Sequence, residues 1–189
     1  MVPVSFANQE MLLSDGRALF WPAERALLVA DLHLEKGSYY AQRGQMLPPY
    51  DSRETLERIA TAVKQTGARR VITLGDNFHD AGGADRLEPH AAGMLAALTC
   101  ATDWVWITGN HDSGSEGAPG GTELAELAVG GLLLRHEAQP GEVLPELSGH
   151  YESNVPGLYV IGALGGYPLI KQAMNQGYDV VEFIQGNDI

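Results

Sequence analysis

Three short polar clusters each follow a run of apolar or β-branched residues. Asp31-Leu32-His33 follows Ala26–Ala30, Gly75-Asp76-Asn77 follows Val71–Leu74, and Gly109-Asn110-His111-Asp112 follows Trp104–Thr108. Apolar runs this short read as buried strands, and helical patterns lie between them. A chain built this way is constrained to an α/β fold, with its polar turns gathered at the carboxyl ends of the strands, where open sheets place their chemistry.

The segments between the clusters support that reading. A helix is expected to start near Asp51, because Asp51 and Glu54 have capping-box spacing, with Asp in place of Ser or Thr. Leu56, Ile59, Ala60 and Val63 then fall on one face, and Gly67 suits the C-terminal stop. Residues 35–50, with Gly44, Pro48 and Pro49, read as a loop. Arg70–Leu74 and Asp103–Thr108 read as strands, and Glu88–Leu98 as a helix that carries a structural or solvent-facing His90. Residues 113–121 read as a Gly/Ser loop, Thr122–Val129 as a short helix, and Leu132–Leu134 as a strand entering Arg135-His136. At least one of Trp104 and Trp106 is expected in the core. No strand is assigned before Ala26. In the tail, Val155–Ile161 reads as a strand, Pro168–Gln176 as a helix stopped by Gly177, and Val180–Ile184 as a last strand.

Composition narrows the class. At 189 residues and 44% hydrophobic, the chain can bury one substantial core, and its longest apolar runs are too short to span a bilayer. Met1–Phe6 has no basic segment followed by an apolar core, so no secretory signal is visible. Cys100 is the only cysteine, which excludes an internal disulfide and fits a reducing cytoplasm. A net charge of -12 argues against a broad nucleic-acid-binding surface. Part of that charge is accounted for if Asp31 and Asp76 hold divalent cations.

Asp, His and Asn donate oxygen and imidazole nitrogen, which suits Mn, Fe, Zn or Mg rather than soft metals. Two-metal hydrolysis needs one bridging ligand and further ligands on each ion, with the ions about 3.5–4 Å apart. Asp76 is the candidate bridge, since one carboxylate can span two ions. Asp31 and His33 lie two apart on an extended segment and so face one side, where both can reach the first ion. Asn110, His136 and His150 are candidates for the second ion. His111 is placed to protonate the leaving oxygen, with Asp112 orienting its ring. Taken singly, Asp31, Asp76 and Asn110 could equally be caps or turn formers. His79 could contact the site or merely serve its loop. Lys36 and Arg43 could meet a phosphate, although a solvated loop charge is the plainer reading.

The series Asp31-Leu32-His33, Gly75-Asp76, Gly109-Asn110-His111-Asp112, His136 and Gly149-His150 resembles the calcineurin-like metallophosphoesterases. Three longer strings narrow the resemblance: Asp31-Leu32-His33-Leu34-Glu35-Lys36-Gly37, Leu47-Pro48-Pro49-Tyr50-Asp51 and Leu74-Gly75-Asp76-Asn77-Phe78-His79-Asp80. They look like the bacterial ligase-associated DNA-damage-response endonucleases. The resemblance implies a layered sandwich, with helices flanking central β-sheets, over residues 1–152. It also implies a metal-dependent phosphodiesterase with two divalent ions, Mn foremost and Fe, Zn or Mg as alternatives. Its partners would be a phosphodiester substrate such as nucleic acid and DNA ligase-associated repair proteins. A homodimer stays open.

The family pattern expects a His at position 152 to complete the first metal site, where this chain has Glu152, itself a competent oxygen ligand. From residue 153 to residue 189 the chain instead resembles a C-terminal piece of an FAD-dependent pyridine nucleotide-disulfide oxidoreductase. The Asp that would help hold the flavin is replaced by Ala163, and no Gly-x-Gly-x-x-Gly fingerprint lies upstream. Three functions therefore stand: an active metallophosphoesterase, a binding module of that fold with impaired catalysis, and a flavin-linked oxidoreductase suggested by the tail alone.

Overall fold

A computed structural model describes residues 1–109, 112, 119–136, 146–154, 156–161 and 170–186, leaving aside the side chains of Ile170 and Lys171. The chain divides into two compact units, Met1–Glu137 and Ala138–Ile189. No helix among the described residues is long and apolar enough to cross a membrane.

The first unit is built on a seven-stranded sheet whose spatial order follows the chain. β1 (Val2–Phe6), β2 (Gln9–Leu13), β3 (Leu19–Trp21) and β4 (Ala26–Val29) form an antiparallel meander. β5 (Arg70–Leu74), β6 (Asp103–Ile107) and β7 (Thr122–Leu124) then add in parallel. Parallel neighbours need crossovers, and helices supply the first two. α1 (Lys36–Ala41) and α2 (Asp51–Thr66) join β4 to β5. α3 (Gly83–Arg86) and α4 (Pro89–Ala101) join β5 to β6. Beyond β7, the hairpin β8 (Glu126–Val129) and β9 (Leu132–Arg135) forms a second, two-stranded sheet.

The pleat sorts the core into two clusters. Leu27, Val29, Val71, Trp104 and Trp106 pack with Leu56, Ile59 and Ala62 of α2 and with Ala91, Leu95 and Leu98 of α4. The alternate residues Ala26, Leu28, Ile72, Val105 and Ile107 pack against Leu127, Val129, Leu132 and Leu134 of the hairpin. β4 is buried along its whole length for this reason. Trp104 and Trp106 both belong to the core, and Trp106 Nε1 donates to Gly120 O at 2.7 Å.

Several sequence expectations change. Residues 36–41 of the expected loop form α1. Its start is tied to α2: the Glu35 N–H donates to Ser52 Oγ, Ser52 Oγ donates to Glu35 Oε1, and Asp51 Oδ2 accepts from the Gly37 N–H, each at 2.8 Å. Asp51 is therefore not the cap of α2; Tyr50 holds that place, and the Asp51 carboxylate serves Gly37. The Thr122–Val129 helix is instead two strands, because pairing with β6 and with β9 satisfies backbone that a lone two-turn helix would leave to water. Three strands also precede Ala26 where none was assigned.

The second unit contains α5 (Ile170–Ile184). It runs through Gly177 and takes up the expected strand Val180–Ile184. A mid-helix Gly costs about 1 kcal/mol, less than enough to break an otherwise well-formed helix. Ahead of it, Glu152 and Tyr159 form an antiparallel bridge, with Val160 N–H donating to Tyr151 O at 2.9 Å. Val155, Ala163 and residues 162–169 lie outside the described residues, as do residues 113–118 of the expected Gly/Ser loop.

Candidate metal centre

The centre forms where β4 and β5 end side by side. The backbone pairing of these parallel strands continues past their ends: Asp31 N–H donates to Gly75 O at 3.3 Å, His33 N–H to Asp76 O at 2.9 Å, and Leu34 N–H to Asn77 O at 2.9 Å. The chain is not extended here. Asp31, His33 and Asp76 have φ of 51°, 43° and 51°. Left-handed backbone at a non-glycine residue costs of order 1–3 kcal/mol and persists only where surrounding structure imposes it. Here the cross-loop hydrogen bonds impose it. Asp31 and His33 thus meet through left-handed turns rather than through the strand alternation expected from their spacing.

The result is a tight set of donors. One ligand atom each from Asp31, His33 and Asp76 lies within 4.8 Å of the others. The buried Asp76 carboxylate stands between two imidazoles, with Oδ2 3.7 Å from His33 Nε2 and Oδ1 3.4 Å from His136 Nε2. His136 Nδ1 is 2.9 Å from Leu74 O. A carbonyl oxygen only accepts, so Nδ1 carries a proton, and Nε2 faces Asp76.

A second carboxylate locks the loops in place. Buried Asp112 accepts at Oδ1 from the N–H groups of Asn77 (3.0 Å) and Phe78 (3.2 Å), and at Oδ2 from Asn77 Nδ2 and the Gly109 N–H (both 2.8 Å). Asn77 Nδ2 also donates to Ile107 O at 2.9 Å, which ties the β5 turn to β6. Packing at this point tolerates no extra atom. A Cβ on Gly75, at φ 92°, would overlap the His136 ring, and one on Gly109 would overlap the Asp76 backbone. Around His33, the His79 ring lies edge-on at 5.4 Å and is itself packed by Tyr39 at 4.6 Å and Tyr40 at 5.5 Å. Arg43 stacks over the Tyr39 ring, 3.5 Å from its centroid.

The family model for calcineurin-like phosphoesterases matches residues 24–182. The chain belongs to that family. Among solved structures, the nuclease MPE of Pseudomonas putida is similar, with 28% identity and a TM-score of 0.57 over 79% of this chain and 72% of that one. None of the curated proteins compared with it matches.

The donors of this metallophosphoesterase suit the divalent metals that the family uses. Two donors each about 2.1 Å from a shared ion stand roughly 3–4 Å apart. The 3.4 and 3.7 Å separations around Asp76 fall in that range, and exceed the about 2.7–2.9 Å of a charge-assisted hydrogen bond. The contact of His136 Nδ1 with a backbone carbonyl is also the usual second-partner arrangement of a metal-bound His.

Of the residues singled out from sequence, the structure brings Asp31, His33, Asp76 and His136 together. Asn110 and His111 lie outside the described residues, and so does the expected contact of Asp112 with His111. His150 and Glu152 belong to the second unit. There the His150 ring stacks on Phe183 at 4.0 Å, and Glu152 Oε1 accepts the Gly157 N–H at 2.7 Å. Two features escaped the sequence reading: the clamp made by Asp112 with Asn77, and the packing of Tyr39 on His79. Polar residues in the loops that follow two adjacent strands, at positions 77 and 112, were the available signal for the clamp. The Tyr39 packing had none, because α1 was read as loop.

Proposed function

We propose that this metallophosphoesterase is a metal-dependent phosphodiesterase acting on nucleic acid by a two-metal mechanism, in the manner of a ligase-associated repair endonuclease. The observation that carries the proposal is the Asp76 carboxylate, with one oxygen turned to His33 and the other to His136. Asp31, His33 and Asp76 would hold one ion, and Asp76, Asn110, His136 and His150 the other, with Mn the expected metal. Bound there, the ions would supply positive charge to the phosphoryl oxygens and a water of lowered pKa for in-line displacement. Asp76 aligns the two halves of the site. Leu74 O holds the proton on His136 Nδ1 and so orients Nε2. Asp112 and Asn77 keep the β5 and β6 turns in register while substrate binds. His111 would donate the proton that the leaving oxygen needs. The repair role is supported by the long strings 31–37, 47–51 and 74–80, and the nucleic-acid substrate by the similarity to a nuclease.

Chelator-stripped protein should regain hydrolysis of an aryl phosphodiester and cleavage of single-stranded oligonucleotide when Mn is added. Asp76→Asn should abolish both and lower bound metal, because Asn lacks the charge that holds two cations. His111→Ala should lower turnover by about 10²–10⁴-fold with metal content retained. Full activity and two ions per chain in Asp76→Asn would refute the bridge. Absence of any hydrolysis by the metal-loaded parent would leave a binding module of this fold.

A further inference from the structure

We infer that the metal centre opens onto a cationic subsite, formed by Arg17, Lys36 and Arg58, that binds a second phosphate of the same nucleic-acid strand. The inference rests on the reading of this chain as a nucleic-acid phosphodiesterase. A cavity of about 250 Å³ is lined by Asp31 and His33 and also by Arg17, Lys36 and Arg58. The three cations come from separate elements. Arg17 sits in the tight turn between β2 and β3, closed by Ser14 N–H donating to Ala18 O at 2.8 Å. Lys36 opens α1, and Arg58 lies on α2.

Their convergence stands out against the charge of the chain. Lys and Arg number 12 against 24 acidic residues, yet three of the 12 line this one small cavity. Elsewhere, four arginines are paired, Arg53 with Glu57, Arg70 with Asp103, Arg86 with Asp80 and Arg135 with Glu126, and Arg43 stacks on Tyr39. Among the described residues, no ion pair to Arg17, Lys36 or Arg58 occurs. The Arg58 guanidinium donates only to Thr55 Oγ1, at 3.2 Å. The other carboxylate in the wall, Asp51, is engaged by the Gly37 N–H at 2.8 Å.

Metal-type donors and cations without an ion pair among the described residues, lining one cavity, suit a ligand that is anionic at two points. A single phosphodiester satisfies only the first, whereas a strand reaches both, with its reacting phosphate at the centre and a neighbouring phosphate between the guanidinium groups. This subsite would also reconcile nuclease-type chemistry with a strongly acidic chain, because the cations are concentrated where the substrate lies rather than spread over the surface. The bound phosphate is either an internal diester or a terminal monoester.

The test uses the full chain and three single variants, Arg17→Ala, Lys36→Ala and Arg58→Ala, with their combination and Arg58→Lys. Circular dichroism and melting confirm folding. In the first arm, chelator-treated protein binds fluorescent oligothymidylate over a range of salt. Each alanine should flatten the slope of log affinity against log salt by about 0.7, and the combination by about 2. In the second arm, kcat/KM is measured with Mn on oligothymidylate and on an aryl phosphodiester. The ratio of the two should fall about tenfold or more in the combined variant, with most of the change in KM, and Arg58→Lys should recover part of it. Loss confined to 5′-phosphorylated strands identifies a terminal phosphate; loss on unphosphorylated strands identifies an internal one. Unchanged salt slope and unchanged ratio would overturn the inference while leaving the phosphodiesterase reading intact. A parent that hydrolyses neither substrate would instead defeat that reading, and the salt slope would still decide the subsite.

Discussion

Asp112 in the first unit and Glu152 in the second are both carboxylates that accept backbone N–H groups, but they differ in reach. Asp112 is buried and gathers donors from Asn77 and Phe78, 35 and 34 residues away, as well as from Gly109. Glu152 takes the N–H of Gly157, five residues on, in an exposed turn. The first joins the ends of two strands and so fixes where Asp76 sits. The second closes a loop that could close on its own. Position in a motif does not distinguish these roles. The difference lies in burial and in how far along the chain the donors are.

Removing Asp112 should therefore have the largest effect. Asp112→Ala leaves several buried N–H groups without an acceptor, and a single such group costs about 1–3 kcal/mol. Urea unfolding should show a loss of roughly 3 kcal/mol or more, and metal content should fall as the Asp76 turn loosens. Asp112→Asn sharpens the point, because its NH2 must face an N–H donor wherever it is placed. A variant with parental stability and metal content would show that the clamp does not organise the centre.

Gly109→Ala should come next. It leaves every hydrogen bond of Asp112 available but forces a methyl into the Asp76 backbone. Overpacking of this kind typically costs about 1–3 kcal/mol. Here it should also weaken metal binding, measured by titration of the stripped protein. An unaltered metal affinity would mean that the Asp76 loop can shift without consequence.

Glu152→Ala should change stability by less than about 1 kcal/mol, since the lost bond is local and exposed. A loss as large as that of Asp112→Ala would erase the contrast between the two units. The smallest effect is expected at another carboxylate that accepts N–H groups, Glu88, which caps α4 through the N–H groups of His90 and Ala91. The His90 N–H above all, with that of Ala91, holds its carboxyl below the ordinary value. The stabilisation is therefore present above the unfolded-state value and is lost as pH falls through the lowered folded value. Melting curves of the parent and Glu88→Gln should differ slightly at neutral pH and converge in acid. A gap that persists in acid would mean that the carboxylate charge is not what caps the helix.

Strands β4, β5 and β6 and helices α2 and α4 were legible in the sequence, because each rests on a local signal such as an apolar run or a period of 3.6. Residues 122–129 read as one helix but form β7 and β8, whereas the strand expected at Leu132–Leu134 is β9. Leu124, Leu127 and Ala128 have helical spacing, whereas the Gly130-Gly131 pair is a common two-residue hairpin turn. In the tail, Val180-Val181 suggested a strand, but the helix begun at Ile170 continues through them.

For the site, residue type alone sets the kinds of donor and their order along the chain, because ligand chemistry is a property of the side chain. Which donors meet, and how, was decided by the tertiary structure. Asp31 and His33 are brought together by left-handed turns, held by hydrogen bonds to Gly75 and Asp76 more than forty residues away. The proton on His136 is placed by a carbonyl 62 residues earlier. Arg17, Lys36 and Arg58 share a cavity although nothing in their spacing relates them. Each of these facts depends on a partner distant in the chain, and a distant partner acquires a position only when the sheet has formed.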